Sequence, residues 1–360
     1  VKTFKCGSCA NTVYFDNVKC LSCGHALGFQ SARLDLVTLA PGASDKLREA
    51  KRGASTLYSY CANAEHGVCN WLVPADSPTP FCAACELNRT IPNLSDPANV
   101  RLWGDFERAK KRLVYSLFRF GLPVDASSTG RGSLAFDFVA DALTGHLDGV
   151  ITIAVGEADA VERERQREAM SERYRSLLGH LRHESGHYYW MLLVDGTDDI
   201  AEFRQLFGDE RDDYRLALNR HHEQGPHADW SQQHVSAYAS AHPWEDWAET
   251  WAHYLHMVDA LDTAATMKIE PRTTSRYGAD VLRSRRHPDV YRDTAFQALI
   301  ERWLPLTLAL NELNRSMGHH DFYPFIITDQ VVTKLNFVHQ VIRKTAMRGS
   351  LAPADGKRAV

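Results

Sequence analysis

The sequence predicts an α+β protein, in which a small cysteine-rich module comes first and a larger, mainly helical domain with a small sheet follows. Three observations predict it. All eight cysteines lie between Cys6 and Cys85. Strand-like runs follow from about residue 130, in SLAFDFVADAL and GHLDGVITIAV. Beyond them, one long segment after another repeats its apolar residues at helical intervals.

A chain of 360 residues, 44% of them hydrophobic, can bury a sizeable core and has room for one large domain plus a small one. No apolar run approaches the roughly 18 residues of a membrane span. The opening VKTFKCGSCA lacks the charged, then apolar, then small-residue order of a secretory signal. A cytoplasmic location is therefore expected, with no membrane partner. The formal charge of -4 is spread along the chain and the cysteine-rich part is close to neutral, so no electrostatic case exists for nucleic acid.

Cys6 and Cys9 form one CxxC, and Cys20 and Cys23 a second. Two such knuckles supply four thiolates, which close a tetrahedral zinc site with no open position, a zinc ribbon. Cys61, Cys69, Cys82 and Cys85 form a looser second set. His66 lies between Cys61 and Cys69 and is an alternative ligand to either. Both sites are expected to be structural, since a short domain with little core is commonly held by metal. The intervening PGASDKLREAKRGASTLYSY reads as a linker with a short helix. NRTIPNLSDPANV then breaks the chain before RLWGDFERAKKRLVYSLFRFG, where Leu102, Phe106, Leu113 and Leu117 recur at helical spacing. The boundary is placed near residue 98, dividing a zinc-binding module, 1–97, from a second domain, 98–350.

After the strands, a helical pattern runs from about Ala158 to RHESGHYYWMLL, residues 182–193, as two helices. His183 and His187 are four apart, so on a helix their imidazoles stack on one face and reach a single ion. Glu184 projects beside them, where a carboxylate takes a proton from an activated water. HExxH alone is short and occurs in ordinary helices, so a third ligand decides its meaning. Downstream, in PWEDWAETWAHYLHMVD, Glu245 and Glu249 are four apart on one face of an amphipathic helix. One of the two can bind metal while the other orients a ligand histidine. His221, His222, His227, His234, His242, His253 and His256 crowd the same region as solvated or further candidate groups, His253 first among them.

HExxH followed on a second helix by ExxAE resembles the gluzincin metalloproteases, and in local pattern is similar to the protease domain of anthrax lethal factor. The resemblance implies that Glu245 is the third zinc ligand and that Glu249 stands behind it. It also implies that Tyr238, seven residues before Glu245, faces the metal and serves the oxyanion or the leaving group. Over most of its length the chain resembles a bacterial family of zinc-ribbon proteins with a zinc-binding metallopeptidase domain, through CNWLVP, LNRTIPNLS, HESGHYYW and PWEDWAETWAHYL. The implied activity is hydrolysis of peptide bonds by metal-activated water with Glu184 as general base. Three zinc ions are expected, one catalytic and two structural, with a peptide or protein substrate. The alternative is an adaptor that binds a protein partner through its zinc ribbons and does not hydrolyse.

The family likeness also implies an extended substrate paired antiparallel with an edge strand, for which GHLDGVITIAV is the candidate; a buried parallel strand is its alternative reading. Between His187 and Glu245 lie 57 residues, with two short helices around Phe203–Phe207 and Tyr214–Leu218, long enough to cover a cleft. ALIERWLPLTLALNELNRSMG and TDQVVTKLNFVHQVIRKTAM complete the core as amphipathic helices, and the tail LAPADGKRAV frays.

Overall fold

The computed structural model describes residues 1–51, 53–125, 132–140, 144–169, 175–269, 271, 289–292 and 295–351. Two CxxC turns open the chain, and the short antiparallel pair β1 (Phe4–Lys5) and β2 (Thr12–Val13) flanks the first of them. An antiparallel meander follows: β3 (Ala26–Gln30), β4 (Asp35–Pro41), β5 (Leu47–Glu49), β6 (Leu57–Tyr60) and β7 (Leu72–Pro74), in that spatial order. The expected linker with a short helix is thus β5, a connection and β6. Leu47–Glu49 pairs with Leu39–Pro41 on one side and Leu47 and Arg48 with Leu57 and Tyr58 on the other. Those cross-strand partners outweigh the local charge pattern that suggested helix.

A second sheet has the order β10-β11-β9-β8, built from β8 (Asn88–Thr90), β9 (Ala135–Val139), β10 (Gly145–Leu147) and β11 (Val150–Ala154). Asp148 and Gly149 both have positive φ, at 48° and 88°, and form the tight turn that reverses β10 into β11. GHLDGVITIAV therefore divides. Its first part is the edge strand, whereas Val150–Ala154 is interior, antiparallel to β10 and parallel to β9, with Ile151 and Ile153 buried. The expectation for SLAFDFVADAL at 141–143 lies outside the described residues.

Helix α1 (Pro97–Phe120) starts where the sequence signals it: Asp96 accepts a hydrogen bond from the Ala98 amide at 2.8 Å, and Pro97 occupies the first turn. Gly121, at φ 71°, ends it. Helices α2 (Ala160–Ala169) and α3 (Leu177–Leu193) follow, with 170–174 outside the described residues. Ser176 caps α3 by accepting from Gly179 N. The insert carries α4 (Ile200–Phe207), α5 (Tyr214–Gln224) and the single turn α6 (Trp230–Gln233). Then come α7 (Pro243–Met267), α8 (Phe296–Ser316) and α9 (Asp329–Leu351). The expected frayed tail, from 352 on, lies outside the described residues. Among the described residues, no helix is long and apolar enough to cross a membrane.

The main core gathers α1, α3, α7, α8 and α9 over one face of the second sheet, around Trp103, Phe106, Tyr189, Trp247 and Trp251. A separate core joins Phe4, Phe15, Phe29 and Trp71 of the N-terminal part to Val114 and Tyr115 of α1. Helix α1 therefore presents one face to each core.

Candidate metal centre

Helix α3 lies against α7 closely enough that side chains one turn apart on each meet. The fit depends on Gly186: a Cβ there would stand 2.9 Å from the Ala248 Cα. Two indoles fix the relative position of the helices, Trp247 Nε1 donating to the Gly186 carbonyl at 2.8 Å and Trp251 Nε1 to Ser185 Oγ at 3.2 Å. His183 and His187 then face the first turn of α7, where Glu245 stands. Negative charge is favoured at that helix end.

Donor atoms of His183, His187 and Glu245 lie within 4.8 Å of one another, and all three residues are buried. His183 Nε2 is 2.9 Å from Glu245 Oε2, and His187 Nε2 is 3.5 Å from Glu245 Oε1. Close as it is, Glu245 Oε2 makes no aligned hydrogen bond. A buried carboxylate oxygen beside two imidazole nitrogens, bonded to neither, is the donor set of a divalent cation site with room for a further ligand. Zinc, which takes nitrogen and carboxylate oxygen together, fits it.

Glu249 sits one turn further on. Its Oε1 is 2.7 Å from His183 Nδ1, and its Oε2 accepts the Ser236 hydroxyl at 2.6 Å. A carboxylate on Nδ1 holds the proton there and leaves the Nε2 lone pair for the cluster. Glu184 is also buried, and its Oε1 is 3.3 Å from His180 Nε2. Burial pushes its carboxyl up, but the His180 hydrogen bond and the charge of His183 and His187 outweigh this and hold it down at about 2.

Tyr238 lies on a 3-10 turn, Tyr238–Ser240, with its ring 5.9 Å from that of His183. Burial, then the charge on Glu245, raises its phenol well above the ordinary range, so it remains a proton donor. Sequence reasoning missed Tyr214, which reaches in from the first turn of α5, donates to Glu245 Oε1 at 2.6 Å and hydrogen-bonds with Tyr238. Nothing local marks Tyr214 in the sequence. By contrast, HLRHESGH places His180 one helical turn before Glu184, a spacing visible in the sequence.

The other histidines have partners of their own. His253 is buried with Nδ1 2.6 Å from the Tyr323 hydroxyl, and His256 Nδ1 is 2.5 Å from Arg182. His234 is 3.1 Å from Asp246, while His242 caps α7 by accepting from Trp244 N at 3.1 Å. His221 stacks edge-on near Tyr238, and neither it, His222 nor His227 joins the cluster.

The eight cysteines converge as two sets, Cys6, Cys9, Cys20 and Cys23, and Cys61, Cys69, Cys82 and Cys85. Sulfur–sulfur distances are 3.6 Å for Cys6–Cys23, 3.7 Å for Cys9–Cys20 and 3.7 Å for Cys69–Cys82. Four sulfurs at about 2.3 Å from one zinc stand about 3.8 Å apart along the tetrahedron's edges, so the spacing suits the ion. Backbone amides assist, Trp71 N donating to Cys69 Sγ and Cys82 N to Cys61 Sγ. His66 is outside the second set, 3.2 Å from the Glu65 carboxylate.

A buried histidine pair with a carboxylate on two packed helices, behind a cysteine-rich module, defines a zinc-binding protein of the α+β class. Residues 99–341 match the family described as "putative zinc-binding metallo-peptidase", and residues 3–96 match a zinc-ribbon domain family. The chain belongs to that metallo-peptidase family. It is 40% identical over 366 aligned positions to uncharacterized proteins of Mycobacterium bovis and of two Mycobacterium tuberculosis strains, covering 100% of this chain and 100% of each relative. No solved structure matches it significantly.

Proposed function

We propose that the chain is a zinc-dependent peptidase of gluzincin type, with residues 98–350 as the catalytic unit and 1–97 as its metal-bound support. The observation that carries this reading is the meeting of His183, His187 and Glu245 donors within 4.8 Å, with Glu184 beside them. Zinc at that cluster supplies a Lewis acid for a water and a peptide carbonyl. Glu184 takes the water's proton and passes it to the departing amine. Tyr238, kept protonated, is a donor for the oxygen on which negative charge develops, while the Tyr214 hydroxyl holds Glu245. An extended peptide or protein substrate pairs along the edge strand β10, and the ribbons are available to a protein partner. Eight free thiols used as ligands suit the reducing cytoplasm.

Metal analysis of the purified chain should find three zinc ions, falling to two in His187→Ala; two in the wild type would leave only the cysteine sites. Wild type and Glu184→Gln should then be compared on a broad peptide library, where the variant keeps the ligands and loses the base. A fall of about a hundredfold or more in kcat/KM is expected. Equal cleavage, or none by either, would replace the peptidase with a zinc-ribbon adaptor.

A further inference from the structure

Glu184 is the end of a longer chain of groups whose two carboxylates are buried and whose linking His180 is half-buried. Glu157 sits on the 3-10 turn Val155–Ala158 that follows β11, and is itself buried. Its Oε2 is 2.7 Å from His180 Nδ1, while its Oε1 accepts the Thr144 hydroxyl and Arg175 lies 3.7 Å away. His180, in the first turn of α3, carries the connection from Glu157 to Glu184 through its two ring nitrogens.

The Nδ1 hydrogen bond to Glu157 and the 3.3 Å ion-pair contact of Nε2 with Glu184 are both attractive only if both ring nitrogens carry protons, because each partner is a carboxylate that accepts. Burial alone would lower the pKa of this imidazole. Its two carboxylate partners instead raise it to about 9, so the ring is a cation between two anions at neutral pH. None of the three candidate zinc ligands takes part in this chain.

We infer that His180 is a positioning residue for the base. Anchored by Glu157, it ties down Oε1 of Glu184, so that the carboxylate presents Oε2 in one orientation to the attacking water. The inference rests on the peptidase reading above. The balance is simple: the water O–H bond breaks, its oxygen bonds the carbonyl carbon and its proton goes to Oε2; the peptide C–N bond then breaks, and the same proton moves from Oε2 to the departing nitrogen. His180 exchanges no proton in the cycle. Its contribution is to remove the rotamer freedom that Glu184 would otherwise have to lose in each turnover.

The test uses the full zinc-loaded chain and a peptide that the wild type cleaves. His180→Ala and the near-isosteric Glu157→Gln should lower kcat about ten- to a hundredfold, the range typical when a partner that orients an active-site group is lost. KM and zinc content should stay at the wild-type values, and His180→Gln, which keeps a donor toward Glu184, should recover part of the loss. Proton NMR of the wild type should show a low-field imidazole N–H resonance that disappears in His180→Ala and moves upfield in Glu157→Gln. Unchanged kcat in both variants, a fall in zinc that matches the fall in rate, or absence of the low-field resonance would overturn the inference. If the wild type cleaves nothing, the peptidase reading fails and takes this one with it; an active wild type with indifferent variants overturns this one alone.

Discussion

A ligand histidine is oriented by the partner of its other ring nitrogen, which makes Glu249 as informative for His183 as the ligands themselves. Its bond to His183 Nδ1 is backed in turn by Ser236. Glu249→Ala should weaken zinc binding at this site about 10- to 100-fold without abolishing it, whereas Glu245→Ala should abolish it; competition with a chromogenic chelator separates the two. At this scale the candidate site was legible where spacing within one helix carries it, as for His183, Glu184 and His187, and Glu245 with Glu249. Tyr214 and Ser236 were not legible, because only the path of the insert brings them to α7. His339 offers a second test away from the site. It is buried on α9 with Nδ1 2.8 Å from the Tyr254 hydroxyl, and burial, then the charge of Arg343, lowers its pKa to about 4. A histidine depressed on folding contributes stability that is complete above the unfolded pKa of about 6.5 and is lost as pH falls toward the folded value. Thermal stability should therefore drop between pH 6.5 and 4. His339→Gln should flatten that slope, by at most about 1.4 kcal/mol per pH unit for one proton. Parallel melts at pH 7, 5.5 and 4 check it, and parallel slopes for both proteins would contradict it.

The decisive element contact is between α3 and α7, and it runs through backbone rather than side chain. Gly186, inside the HExxH segment, is where a methyl group would meet the Ala248 Cα at 2.9 Å. Gly186→Ala raises the intrinsic propensity of α3 for helix, yet it must push the two helices apart. The expected outcome is a loss of about 1–3 kcal/mol in denaturant unfolding, together with weaker zinc binding, because Glu245 rides on the helix that moves. Unaltered stability with full zinc content would show that the helices have slack. Elements with strong internal signals were legible in the sequence, α1 by the breakers before it and its apolar spacing and α7 by its apolar stripe, whereas GHLDGVITIAV read as one strand and the structure divides it at Asp148–Gly149. Elements defined by distant partners were not. Leu47–Glu49 looks charged and helical until Leu39–Pro41 lies beside it, and Asn88–Thr90 has almost no apolar content to mark it as a strand.

At the scale of the whole molecule, the zinc module and the larger domain are joined through their interiors. Strand β8 lies before α1 in sequence but pairs in parallel with β9 of the second sheet. Between them runs a largely buried polar link: Cys85 Sγ is 3.8 Å from Glu107 Oε2, while Glu107 Oε1 accepts from Lys110 at 2.7 Å and from the half-buried Asn88 at 2.8 Å. Burial pushes the Glu107 carboxyl up, Lys110 pulls it back, and a pair this enclosed is tolerable only while every partner stays in place. Loss of the second four-cysteine site would free Cys85 and loosen the turn leading into β8, exposing Glu107 and the Val114–Tyr115 face of α1. A fragment that begins at residue 98 is therefore expected not to fold, and Cys82→Ser in the full chain should lower one shared melting transition instead of melting the N-terminal part alone. Circular dichroism and calorimetry read both. A soluble, zinc-binding fragment with native helix content, or two separate transitions in Cys82→Ser, would mean that the larger domain stands independently and that the cysteine sites serve something other than its stability.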